Sequence, residues 1–280
     1  MKPRSKKPRE IIDFIVKLIS AVSAFFGIFI LILIIYEVAV RGLAAFSFAF
    51  FTQLPAPPGM DKGGVANAIV GTFIITLMAA GMGVPIGLMV GIYLVEFARD
   101  TKIGEFIKFL TNVMIGIPSI IIGLFVYTIM VKPFGQFSGY AGAVALAIIM
   151  LPVVARTTQD ILMLVPNSLR ESAFALGTSQ WRVILNIIFR AAKSGLITGV
   201  LLAIARVSGE TAPLLFTALN SPYWIQTLAR PTANLTVLIY NYAVSPFADW
   251  QQTAWGASLL IMIAVLFVNI LARIILKQKS

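Results

Sequence analysis

Two charged residues, Arg206 and Glu210, stand four apart in the otherwise uncharged run 194–219. A charge near the centre of a bilayer costs about 2.5–3.5 kcal/mol on insertion scales, so both side chains must face protein or water. Two chemistries are open to them. At i,i+4 on one helical face they can form a structural salt bridge, and buried pairs exist without any transport role. Alternatively, the planar Arg206 guanidinium holds a passing oxyanion by charge-assisted hydrogen bonds, with Glu210 keeping it oriented until the anion displaces it. Thr211 follows directly with a hydroxyl. Ser119, in the Gly-Ile-Pro-Ser-Ile string at 116–120, either satisfies backbone groups freed by Pro118 or faces the same pathway.

Little other chemistry is available. The 280 residues include no His and no Cys, which removes the usual zinc sites, a Cys nucleophile, disulfides and a Ser-His-Asp triad, so neither a metal nor a catalytic centre is expected. No Walker A string occurs, nor even a Gly-Lys dipeptide, so any ATP hydrolysis must belong to a partner chain. Gly81, Gly83, Gly87 and Gly91 have the wrong spacing and setting for a dinucleotide loop. Instead, Gly83, Gly87 and Gly91 recur every four residues and line one helical face with small groups, against which a second helix can pack closely.

The elements that must position these residues are membrane spans. Hydrophobic residues make up 59% of the chain and charged ones 12%, with a mean hydropathy of +0.93, unlike a soluble domain with about 25% charge. Crossing the hydrocarbon takes about 20 apolar residues. The runs 18–36, 63–95, 109–131, 133–155 and 250–272 contain no charge, and 194–219 supplies a sixth span. The basic segment 1–17 with its apolar sequel reads as an uncleaved first span rather than a secretory signal. One transmembrane domain, 18–280, follows it. Pro85, Pro118, Pro152 and Pro213 fall within spans, where each removes a donor and tends to kink the helix.

Of the 22 Lys and Arg, 17 lie in the two termini and the loops on their side, 4 lie opposite and Arg206 lies within a span. Cytoplasmic loops carry such an excess, so both termini are expected in the cytoplasm and the net charge of +11 requires no nucleic acid. Two outer segments, 41–62 and 220–249, carry three prolines each and read as turns and short interfacial pieces. Tyr223, Trp224 and Trp250 suit anchoring at the membrane interface, or a docking face for an external protein.

The inner loop 156–193 is the longest polar stretch. Ser168 and Glu171 have capping-box spacing, Leu169, Ala173 and Leu176 form an apolar stripe, and Gly177 is placed to end the helix. Thr178 or Ser179 then opens a second helix, with Ile184, Ile187 and Ile188 as a stripe against the membrane. A helix, a glycine turn and a helix make a structured elbow; the alternative is a loop that simply connects two spans.

Glu171-Ser172-Ala173, Gly177 four residues on and Ile187 ten beyond that resemble the E-A-A-x-x-x-G-x9-I-x-L-P signature of ABC importer permeases, with Ser172 for the central Ala and Phe189-Arg190 for Leu-Pro. Residues 205–216, Ala-Arg-Val-Ser-Gly-Glu-Thr-Ala-Pro-Leu-Leu-Phe, resemble the phosphate-specific group, the PstA type, as do 64–72, 85–97, 116–127, 141–156 and 238–246. The resemblance implies an all-α permease bundle of six spans in a prokaryotic cell membrane. It implies a coupling elbow at Glu171, Ser172, Ala173 and Gly177 that sits in a cleft of an ATPase, and a substrate pathway at Arg206, Glu210, Thr211 and Ser119. The implied partners are a second permease of PstC type, two ATPase subunits and an external phosphate-binding protein. A permease for another oxyanion or solute, a passive channel or scaffold, and an intramembrane enzyme are the rival readings.

Overall fold

The computed structural model describes residues 6–59 and 63–277; residues 1–5, Lys62 and residues 278–280, which belong to the charge pattern above, lie outside the described residues. Helices are the regular structure of the described residues, with no strand among them; five are long and apolar enough to cross a membrane, and a bent pair makes six if counted as one span. In order these are α1 (Lys6–Leu43), α2 (Phe48–Thr52), α3 (Ala66–Glu96), α4 (Lys102–Gly116), α5 (Ser119–Phe134) and α6 (Gly139–Met163). Then follow α7 (Asn167–Ala175), α8 (Gln180–Val207), α9 (Ala212–Leu215), α10 (Leu235–Ala243) and α11 (Ala248–Lys277). The first helix is exposed from Glu10 to Tyr36 and leans on α11 near its end, where the buried Gly42 meets Leu259.

At three places the backbone departs from the spans read in the sequence. The run 109–131 is not one helix: α4 and α5 meet at 98°. Pro118 holds Ile117 in extended geometry (φ −72°, ψ 127°) and has no N–H to continue α4, so the chain turns and restarts at Ser119. The fourth span starts at Gly139 rather than Pro133, because the Ser138 hydroxyl accepts the Ala141 N–H as an N-cap. The fifth ends at Val207, just before Gly209, so Arg206 is in the last turn of α8 and not midway along a span. Pro85 and Pro152 lie within unbroken helices, whereas Pro118 and Pro213 begin new ones.

Lipid tails are as apolar as Leu, so close packing rather than water exclusion joins helices here. The bundle centres on α3 against α6. Gly83, Gly87 and Gly91 face Met150, Val154 and Thr158, as their four-residue spacing requires. Around this seam Ile75, Ala79, Leu146 and Met150 are fully enclosed, and Val207, Leu214 and Val237 close the core from α8, α9 and α10.

The proline-containing segment 220–249 is more ordered than its prolines suggest, because α10 forms between Pro231 and Pro246. Asn234 caps it by accepting the Val237 N–H at 3.0 Å, and donates to the Leu219 carbonyl at 2.9 Å. That bond holds Leu219 in a left-handed conformation (φ 57°), unusual for a residue with a branched side chain. Tyr223 and Trp224 are exposed, but Trp250 is not a free interfacial anchor. It stacks on Tyr242 with ring centres 4.4 Å apart, and its indole N–H donates to the Ala56 carbonyl.

Candidate functional site

The break after α4 opens a cavity of about 120 Å³, room for a few waters or one small ion. Its walls are apolar: Met114 and Ile115 from α4, Ile122 from α5, Ile149 and Val153 from α6. Three polar side chains reach it, Ser119, Arg206 and Glu210. Arg206 is exposed, and Ser119 and Glu210 are half-buried.

The expected i,i+4 pairing of Arg206 with Glu210 does not form. The ion pairs among the described residues are Arg41–Glu37, Arg156–Asp160 and Arg170–Glu96. The reason is local: helix geometry ends at Val207, and residues 208–210 close by turn bonds such as Glu210 N–H to the Val207 carbonyl, so the two residues no longer share a helical face. They still meet at the cavity, because the turn brings Glu210 back across the end of α8. The Thr236 hydroxyl, donating to the Glu210 carbonyl at 3.0 Å, ties this turn to α10. Thr211 caps α9, where its carbonyl accepts from Leu214 and Leu215, and it is not part of the lining.

The electrostatics favour one sign of guest. Arg206 brings a permanent positive charge with a planar fork of donors. Ser119 is the first residue of α5, so the positive end of that helix dipole meets the cavity beside a hydroxyl donor. Against these stands one carboxylate, Glu210. Such a set can hold a small oxyanion by several hydrogen bonds, while the Glu210 carboxylate limits how tightly the anion is held.

The second cluster is the elbow. Most of the stretch 156–193 belongs to neighbouring helices, since α6 runs on to Met163 and α8 begins at Gln180. The proposed capping box is absent: α7 starts at Asn167 after Pro166, which places Ser168 inside the first turn. The glycine stop does form. Gly177 has φ +72°, its N–H bonds to the Phe174 carbonyl and the Thr178 N–H to that of Ala173, the double bond pattern of a Schellman end. Ala173 is buried, whereas Glu171, Ser172, Leu169 and Leu176 are exposed. The stripe of Ile184, Ile187 and Ile188, expected against the membrane, turns inward instead: Ile184 and Ile188 are fully buried and Ile187 half-buried in a cluster with Val95, Leu162, Val165 and Ala173.

Sequence reasoning missed the pair that fastens this elbow. Arg170 of α7 bonds to Glu96, the last residue of α3, at 2.9 Å, with the two side chains 12% and 7% exposed. No periodicity connects residues 74 apart, and only their opposite charge at the end of a span and in the loop could have suggested it.

Residues 83–278 match the family model described as "Binding-protein-dependent transport system inner membrane component". The chain is 48% identical over 262 residues to the phosphate transport system permease protein PstA of Yersinia pestis, covering 94% of this chain and 89% of that one. The PstA of Haemophilus influenzae is also 48% identical, with 94% and 93% covered. The probable phosphate transport system permease protein PstA of Methanocaldococcus jannaschii is 40% identical, with 78% of each chain covered. Among solved structures, a chain of the inward-facing MetNI methionine ABC transporter superposes with a TM-score of 0.66 at 19% identity, over 77% of this chain and 96% of that one, so the likeness is one of fold. Both the all-helical architecture and the sequence match agree: the chain belongs to the family of binding-protein-dependent transport system inner membrane components.

Proposed function

We propose that the chain is the PstA-type permease subunit of an ATP-driven phosphate importer. The observation that carries this is the meeting of Arg206, Ser119 and Glu210 in one cavity at the break between α4 and α5, in a chain whose relatives are phosphate permeases. Its partners are a second permease of PstC type, two ATPase subunits and an external phosphate-binding protein. The chain itself performs no covalent step, and ATP is hydrolysed on the ATPase subunits. Glu171, Ser172 and the exposed Leu169, Phe174 and Leu176 offer a mixed polar and apolar face for ATPase docking, with Ala173 and Gly177 shaping it from beneath. Movement at that face opens the pathway alternately inward and outward. Phosphate then meets Arg206 and Ser119, and the Glu210 carboxylate lining the same cavity repels the anion and favours its release. Thr211 sets the end of the same segment.

The test is uptake of labelled phosphate by cells whose own permease is replaced by this chain, normalised to inserted protein. Arg206→Gln falls to background, Arg206→Lys keeps partial activity because the charge remains without the planar fork, and Glu210→Gln is impaired less than Arg206→Gln. Arg206→Gln with Glu210→Gln stays inactive; recovery in the double variant would mean that the two charges merely balance one another and would remove the anion contact. Competition by arsenate but not sulfate distinguishes phosphate from another oxyanion as cargo, and uptake without the ATPase subunits would identify a channel.

A further inference from the structure

Every N–H of the Arg170 side chain has a partner. Nε and Nη2 donate to the Glu96 carboxylate at 3.2 and 2.9 Å, and Nη2 also donates to the Leu162 carbonyl at 2.9 Å. Nη1 donates to the Val165 carbonyl at 2.6 Å and to Asn167 Oδ1 at 3.3 Å. A guanidinium has five N–H donors in a fixed plane, and all of them are engaged here. One side chain thus joins α7 to the end of α3, to the Leu162 carbonyl in the last turn of α6 and to the Val165 carbonyl in the link that follows. The Glu96 carbonyl in turn accepts from Gln180 at the start of α8, so the same two residues reach a fourth helix.

The other two ion pairs differ in kind. Arg41–Glu37 and Arg156–Asp160 lie one turn apart on single helices with side chains about half exposed, an arrangement that holds no two elements together. The Arg170–Glu96 pair is enclosed, spans 74 residues and sits above the buried Val95, Leu162, Val165 and Ala173. From Leu162, α6 runs nine residues back to Val153, roughly 14 Å at the helical rise, and there forms the cavity wall with Ile149. Along that length the glycine seam leaves α3 and α6 little freedom to slide.

We infer that Arg170 is a positioning residue for transport: it locks the elbow, α3 and α6 into one lever, so that displacement of α7 by the ATPase moves the cavity wall at Ile149 and Val153. The inference rests on the chain being a permease driven through this elbow. Without the clamp, α7 can rock on the end of the bundle and the motion dissipates before it reaches Arg206.

The experiment uses the complete transporter with spin labels on cysteines at Tyr93 and Ala175, both exposed, in a chain that has no cysteine of its own. With Arg170 intact, the distance between labels keeps one narrow distribution in the nucleotide-free and ATP-bound states. In Arg170→Gln that distribution broadens, and phosphate moved per ATP hydrolysed falls at least about fivefold, the low end of typical coupling effects. Arg170→Lys, which keeps charge but cannot fill all five bonds, is intermediate. A narrow distribution with an unchanged phosphate-to-ATP ratio in Arg170→Gln overturns the inference. Should that variant fail to assemble, Glu96→Gln, which spares the bonds to Leu162 and Val165, is read the same way, and a narrow distribution with an unchanged ratio again overturns it. If the unaltered complex moves no phosphate, the proposed function fails, while the label distances still decide whether the clamp is rigid.

Discussion

Gly81 and Gly91 share one helix and differ in what a methyl group would meet, which isolates the packing energy of the α3–α6 seam. A Cβ at Gly81 has no neighbour within 4 Å. Replacing Gly81 by Ala therefore changes little beyond backbone entropy, a gain of about 0.4–1 kcal/mol. A Cβ at Gly91 lies 2.5 Å from Thr158 Cβ, 2.7 Å from its Cγ2 and 2.8 Å from the Ala155 carbonyl oxygen. Carbon atoms in contact prefer about 3.5–4.0 Å, so α3 and α6 must separate by roughly 1 Å at this level. Thr158 is buried and α6 is braced on its other side by α8, where Thr157 stands against Gly199, so the displacement cannot be absorbed by one free side chain. Overpacking of this kind costs about 1–3 kcal/mol. The entropy gain is common to both variants and cancels in their difference, leaving Gly91→Ala less stable than Gly81→Ala by a factor of roughly 5–140 in the unfolding equilibrium. Unfolding both in mixed micelles by titration with sodium dodecyl sulfate, followed by Trp fluorescence, measures that difference directly. Equal midpoints and slopes would refute the close approach of the two helices.

Three further outcomes follow from the same structure. Gly177→Ala should destabilise the elbow by about 1–2 kcal/mol, since φ +72° brings a Cβ against the following carbonyl; hydrogen exchange of α7 reports it, and unchanged protection would exclude the left-handed turn. Asn234→Ala removes the cap of α10 and leaves the Leu219 carbonyl without its donor, so a loss of about 2–4 kcal/mol is expected in thermal unfolding, and a loss below half of that would make the bonds incidental. Cysteine at Ser179 should be labelled only from the cytoplasmic side and cysteine at Tyr223 only from outside; the reverse pattern would invert the orientation argued from the Lys and Arg count.

The sequence by itself determined the membrane class, the number of spans, the small-residue face at Gly83, Gly87 and Gly91 and the glycine stop at Gly177. Each of these rests on a property that repeats or acts within a few residues: run length against bilayer thickness, helical periodicity, and the backbone freedom of glycine. It also singled out Arg206, Glu210 and Ser119, because a charge or a proline is conspicuous in an apolar run. What joins them was decided by tertiary structure. Arg206 and Glu210 meet through a turn rather than a shared helical face, and Ser119 joins them because Pro118 bends the third span by 98°. The burial of Ile184 and Ile188 against Val95 and Leu162, and the five bonds of Arg170, likewise depend on where α3 and α6 end. An apolar stripe has the same periodicity whether it meets lipid or another helix, and a charge gives no sign of the distant residue that will neutralise it. Only the packing of helices far apart in the chain fixes those choices.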